Sequence, residues 1–432
     1  MPPINLIDTK LKKRLRPKAS EIFTDREHER KVINEFALAL AEAAGTLKPK
    51  VLTFYGVGGV GKSSLLGYAT QKIFPLHTGF DALRVALCDL DSSNYDPSTG
   101  IMPFYGQVLM KALQKAGLRL KAFEAFYLVW WARANPDQEI TREQFLSRVL
   151  GGAEKGSDFL RDLFAEDGLG SAFADIVSTT RAGVMVGKLT QWISDNKNKK
   201  LFDESFQELD LATMSLLDFE KHACDVIYVD LMNTIGENQK SSLLLILDGF
   251  ERIQSSQRLD DLQHSLSRLL GNIVTSSRQL KFGCIIFGRE KLRWRDLYDS
   301  RSETNHWDLF LEQHYVEGLS SKDAKNFIES VCGWYEAIND DRSKRILDLI
   351  QQYSEKILLQ AEEDDNSSGQ VSYLPYSLDL AIQQVVDHNE SFKEEMLGKG
   401  ASDLEDRFLR YMDPSRKRSL DLLNVTLSFH EG

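Results

Sequence analysis

Four runs of consecutive apolar residues punctuate the chain: Val51-Leu52-Thr53-Phe54-Tyr55, Arg84-Val85-Ala86-Leu87-Cys88-Asp89-Leu90, Leu243-Leu244-Leu245-Ile246-Leu247 and Phe282-Gly283-Cys284-Ile285-Ile286-Phe287. A shorter fifth lies near Gln313 to Val316. Each predicts a strand, and short apolar strands separated by helices predict a parallel sheet covered on both faces. Helical spacing marks much of the remaining chain. Val32, Phe36, Leu38 and Leu40 predict a helix over Glu29 to Ala44, broken by Lys48-Pro49. The same period resumes over Ser63 to Phe74, directly after a glycine-rich segment.

Between the second and third apolar runs, about residues 100 to 240, lies far more chain than a single crossover helix needs. It predicts helices at Tyr105 to Ala116, Phe123 to Ala134, Thr141 to Val149 and Leu216 to Asn233. Phe123, Phe126, Tyr127, Trp130 and Trp131 read as core of this insertion, with a partner surface as the alternative. From Ser320 onward the pattern is helical: Lys322 to Tyr335, Arg342 to Gln360 and Pro375 to Val386, with Glu362 to Gly369 read as a polar surface loop.

Composition narrows the class. At roughly 100–200 residues per domain, 432 residues make two to four domains. With 42% hydrophobic and 27% charged residues the balance is globular, which excludes wholesale disorder. A net charge of −11 argues against non-specific nucleic-acid binding. The exception is an N-terminal arm, where Lys10, Lys12, Lys13, Arg14, Arg16 and Lys18 face only Asp8; it reads as a solvated tail, with a binding arm as the alternative. Cys88, Cys224, Cys284 and Cys332 are far apart and form no CxxC pair, as expected of reduced thiols. The start has no apolar signal core, and no uncharged stretch reaches the ~20 residues of a membrane span, so a cytoplasmic protein without a membrane partner is expected.

Gly56-Val57-Gly58-Gly59-Val60-Gly61-Lys62-Ser63, with Ser64 next, matches G-x-x-x-x-G-K-[ST] in full, with an expected strand before it and helix after it. Glycines let backbone N–H groups curl around phosphate oxygens, and a helix start adds partial positive charge. Lys62 then supplies a cation to the β- and γ-phosphates, and the Ser63 hydroxyl an oxygen to Mg2+. The second Mg2+ ligand is expected to be Asp248, after the third apolar run, with Glu251 as the group that orients the attacking water. Arg289, after the fourth run, is a candidate γ-phosphate sensor, with a surface pair to Glu290 as the alternative. Asp89 and Asp91 either polarise water or cap the next helix.

Together these motifs resemble STAND NTPases, the AAA+-related signalling ATPases that include the NB-ARC and NACHT groups. Phe23-Thr24-Asp25-Arg26-Glu27 resembles their F-x-G-R-E box, with Asp25 replacing glycine. Val371-Ser372-Tyr373-Leu374-Pro375-Tyr376-Ser377-Leu378-Asp379-Leu380-Ala381 is similar to their G-x-P box, with Tyr373 where glycine is usual. The resemblance implies that Arg26 and Pro375 help to bind the nucleotide, Pro375 near the adenine. Asp248-x-x-Glu251 and the loop itself look most like bacterial members that carry C-terminal repeats. Ser402 to Leu427 looks like the start of a winged helix; the family's winged-helix histidine has no visible equivalent, His430 excepted.

The implied organisation is a basic arm (1–20), a P-loop NTPase domain (21–318) with a helical insertion (about 100–240), an all-α helical domain (319–400) and the start of a winged-helix domain (401–432). The implied activity is an ATP/ADP switch that hydrolyses slowly with Mg2+, oligomerises with its own copies in the ATP state, and answers a ligand or protein through a sensor beyond a truncated C-terminus. Antiphage defence or regulated cell death is the implied setting. The alternatives are an AAA+-like ATPase acting on nucleic acid and a nucleotide-binding scaffold with little turnover.

Overall fold

The apolar runs do become strands: β1 (Val51–Tyr55), β2 (Leu83–Asp89), β3 (Ser242–Asp248), β4 (Phe282–Gly288) and β5 (Leu311–Tyr315). They form one five-stranded parallel α/β sheet in the order β2-β3-β4-β1-β5. The structure, a computed structural model, describes residues 26–42, 50–77, 83–90, 95–96, 99–137, 190, 209–237, 242–254, 260–276, 281–294, 307–364 and 371–397. The basic arm, Phe23 to Asp25, Asp91, the expected helix at Thr141 to Val149 and the winged-helix segment lie outside those residues.

The described chain divides into two compact units that cut across sequence order. One takes described residues of 34–55 and 73–314, the other those of 1–33, 56–72 and 315–432. In the first, every residue of β3 and β4 is buried, as expected of strands covered on both faces. The helix α1 (Glu27–Glu42) buries Ile33, Phe36, Ala37 and Leu40, whereas Leu38 is exposed and Val32 half-buried. The buried stripe thus includes Ile33 and Ala37 and omits two of the residues that periodicity selects. Gly283 allows this packing: a Cβ there would sit 2.7 Å from the Phe36 ring and 3.1 Å from Leu40.

The insertion packs a helical stretch over 101–115 with α3 (Lys121–Ala134) and α4 (Leu216–Glu237). Phe123, Phe126, Tyr127 and Trp131 are buried in its core and Trp130 is half-buried. Phe126 meets Phe219 of α4 at 4.7 Å between ring centroids. Gly106 is required by the same packing, since a Cβ would lie 2.2 Å from the Tyr127 ring.

The second unit holds the glycine-rich loop, the start of α1, a helix α2 (Lys62–Tyr68), and the chain's C-terminal helices. Those helices are α5 (Ser321–Ile338), α6 (Asp341–Gln352), α7 (Ser354–Ala361) and α8 (Pro375–His388). Ser320 caps α5 and Asp340 caps α6, each accepting from a backbone N–H three residues on. Leu319, Phe327, Val331, Tyr335, Ile350, Ile357, Leu378 and Val385 make their shared core. Two expectations are corrected here. The helix expected over Arg342 to Gln360 is broken at Tyr353, and Glu362-Glu363-Asp364 form a strand, β6, paired antiparallel with β7 (Val371–Tyr373). The helical domain is therefore not all-α.

All four cysteines are buried, and burial pushes every thiol up, Cys224 to about 12 and Cys332 to about 11. The neutral thiol is thus favoured by folding, and its contribution to stability is present below the ordinary thiol value near 9.0 and lost as pH rises above it. Iodoacetamide at pH 8.5 is expected to leave all four cysteines unmodified in the native chain and to alkylate them after unfolding in urea. Rapid labelling of the native chain would contradict this packing.

Candidate functional site

β1 ends at Tyr55, and the loop opens at Gly56. Three of its glycines occupy positions that no other residue fills without strain. A Cβ on Gly56 would lie 2.4 Å from the Val316 carbonyl oxygen. Gly59 has φ 83° and its Cβ would meet Tyr376 Cβ at 2.8 Å. Gly61 has φ 95°, the left-handed conformation from which α2 begins at Lys62. The Lys62 ammonium is held at the loop, donating to the carbonyls of Gly56 (2.7 Å) and Val57 (2.9 Å). Ser63 is exposed and Ser64 half-buried in the first turn of α2, while Val60 is buried.

Both residues carried over from the flanking boxes touch this loop or border it. Arg26, only 6% exposed, donates from its guanidinium to the Val60 carbonyl at 2.7 Å and also to the Glu317 carbonyl. Its charge is balanced by Glu29 at 3.5 Å. Pro375 opens α8 and lies against Gly61, with Cγ 3.7 Å from where a Cβ would be. The next residue, Tyr376, donates its backbone N–H to the Gly59 carbonyl at 3.1 Å. Tyr376, Val316 and Glu317 were not singled out by sequence reasoning. Tyr376 was detectable as the neighbour of Pro375; a backbone carbonyl acting as a partner leaves no mark in sequence.

In the sheet unit, Asp248 is the last residue of β3 and pairs in register with Asp89, the last residue of β2. Two carboxylates on adjacent strand ends, about 4.8 Å apart in backbone spacing, concentrate negative charge that a divalent cation can offset. Asp89 is thus a strand residue beside Asp248. Gly249, at φ 74°, turns the chain into the short helix Glu251–Gln254. Glu251 Oε1 lies 3.4 Å from Arg289 Nε, so the carboxylate that pairs with Arg289 is Glu251, where the sequence alternative named Glu290. The backbone of Glu290 is instead tied to the Gln254 side chain, whose Nε2 donates to the Glu290 carbonyl at 3.0 Å. Because the strands are parallel, Tyr55, Asp248 and Gly288 end on one edge of the sheet, with β4 between β1 and β3. That carboxyl edge is where open α/β sheets bind ligands.

No protein-family model and no curated protein matches the sequence. Among solved structures the chain is similar to the Aeropyrum pernix ORC2 protein, solved in ADPNP–ADP complexes, at 12% identity and a TM-score of 0.36, over 88% of this chain and 68% of that one. A likeness that weak carries no argument about function.

Gly59→Ala is expected to destabilise the chain by about 1–3 kcal/mol, through left-handed strain and collision with Tyr376. Gly67→Ala, inside α2 and with no atom within 4 Å of the added methyl, serves as the unstrained control and is expected to keep or slightly raise stability. Equal urea midpoints for the two variants would refute the loop geometry.

Proposed function

We propose that the chain is an ATP-binding and ATP-hydrolysing switch of the STAND type. The observation that supports it most is the loop geometry. Gly59 and Gly61 hold φ 83° and 95°, Gly56 has no room for a side chain, and the Lys62 ammonium is already engaged with oxygen acceptors at the loop. A backbone of that shape suits a phosphate chain, whose negative oxygens take N–H groups and an ammonium.

In this reading the residues 56–64 grip the phosphates of ATP or ADP, and Lys62 neutralises the charge that accumulates on them as the terminal phosphoryl leaves. Ser63 offers an exposed hydroxyl and Asp248 a carboxylate, the oxygen donors that Mg2+ takes. When bound, the ion would offset phosphate charge. Glu251 orients the attacking water and accepts its proton, while Arg289 responds to the terminal phosphate. The Glu251–Arg289 contact supports slow turnover, since Glu251 must leave Arg289 before its carboxylate can orient a water. Arg289 is 62% exposed, so the pair is weak enough to open.

The finer role follows the motif resemblance: ATP biases a conformation that assembles with further copies of the chain, in answer to a trigger ligand or protein, in antiphage defence or regulated cell death. A net charge of −11 argues against nucleic acid as the partner. Among the described residues no helix is long and apolar enough to cross a membrane, and a cytoplasmic setting is part of the proposal.

Lys62→Ala and Asp248→Ala are each expected to lower ATP turnover by about 100-fold or more while leaving the melting temperature of the nucleotide-free chain unchanged. Phosphate release and thermal unfolding measure the two effects. Turnover at the parent rate in either variant would refute the assignment.

A further inference from the structure

The carbonyls of the glycine-rich loop divide by where their donors come from. Those of Gly56 and Val57 accept from Lys62, which belongs to the loop's own helix. Those of Gly59 and Val60 accept from distant chain: the Tyr376 amide at 3.1 Å and the Arg26 guanidinium at 2.7 Å. A trans peptide is planar, and its C=O and following N–H point in opposite directions. Holding the Gly59 carbonyl toward Tyr376 therefore turns the Val60 N–H the other way. Holding the Val60 carbonyl toward Arg26 does the same for the Gly61 N–H. Successive N–H groups fixed in this manner make the concavity by which a backbone receives an anion.

Arg26 is committed to this task at some cost. It holds φ 68°, a left-handed conformation that arginine rarely adopts, and is buried with its charge balanced by Glu29. Its second bond, to the Glu317 carbonyl, ties the same guanidinium to the residue after Val316, whose own carbonyl closes over Gly56. Every one of these groups belongs to a single compact unit.

We infer that Arg26 and the backbone amide of Tyr376 are positioning groups: they hold the Gly59 and Val60 carbonyls outward, keep the loop ready for an anion, and tie phosphate affinity to the chain at 316–317 and 375–376. The inference rests on the nucleotide reading of the loop and changes the role of Arg26, which acts on the loop backbone. A simple latch would contribute stability and leave affinity for phosphate untouched.

Calorimetry with Mg-ADP and amide hydrogen exchange on the full chain test it. Arg26→Asn keeps a residue that tolerates positive φ and removes the guanidinium; it is expected to weaken ADP binding about tenfold and to speed exchange at the Val60 and Gly61 amides. Arg26→Lys, which restores one cationic donor, is expected to recover part of the loss. Tyr376→Pro removes the amide donor and sets a ring carbon against the Gly59 carbonyl, turning that carbonyl away, and is expected to bind ADP about fivefold more weakly than Tyr376→Ala, which keeps the amide. If Arg26→Asn fails to fold, the proline–alanine contrast decides. Affinities within about twofold across the parent, Arg26→Asn and both Tyr376 variants, with unchanged exchange, would overturn the inference. Absence of ADP binding by the parent is a different result and would refute the nucleotide reading itself.

Discussion

Receiving an anion on backbone amides requires peptide planes turned so that successive N–H groups converge, and that turn needs positive φ. Only residues without a Cβ adopt it cheaply, and Gly59 and Gly61 hold it here. The constraint has a second half. Turning N–H groups inward sends carbonyls outward, and a buried carbonyl without a donor is costly. The Tyr376 amide and the Arg26 guanidinium meet that need. Much of the second unit follows: α8 must begin at Pro375 beside Gly61, and the chain after β5 must pass Gly56 closely enough to exclude a side chain.

The sheet unit carries opposite charge logic. Asp89 and Asp248 end adjacent strands in register, and Glu251 follows one turn later against Arg289. Carboxylates gathered on strand ends suit cation binding, and an exposed arginine forms only a weak pair with Glu251. A net charge of −11 gives the chain no general attraction for anions, whereas the cationic group held at the glycine-rich loop is a local feature.

The middle of the sheet was legible because β3 and β4 are buried on both faces and β1 nearly so, so each reads as an apolar run, whereas the outer strands β2 and β5 are only partly buried. α1 was legible as a helix but not in its buried stripe: Leu38 lies two residues from both Phe36 and Leu40 and faces outward, because Phe36 and Leu40 are the residues that pack at Gly283. The break at Tyr353 interrupts a run of apolar residues that stays in phase from Ile346 to Ala361, so periodicity passes through it unmarked. β6 reads as loop because Glu362, Glu363 and Asp364 are polar, whereas a two-stranded ribbon is held by backbone bonds that ignore side-chain polarity.

The sequence by itself determined the buried strands of the sheet, the glycine-rich turn, the lysine at its end and the acidic strand terminus, because each depends on a local rule: apolar period, absence of a Cβ, or the charge of one side chain. Only the tertiary structure decided what holds the loop in shape. Its braces are a backbone amide at Tyr376, backbone carbonyls at Val316 and Glu317, and an arginine at position 26, all remote from the loop in sequence. Main-chain groups are the same in every residue, so their partnerships leave no pattern to read until the chain has folded.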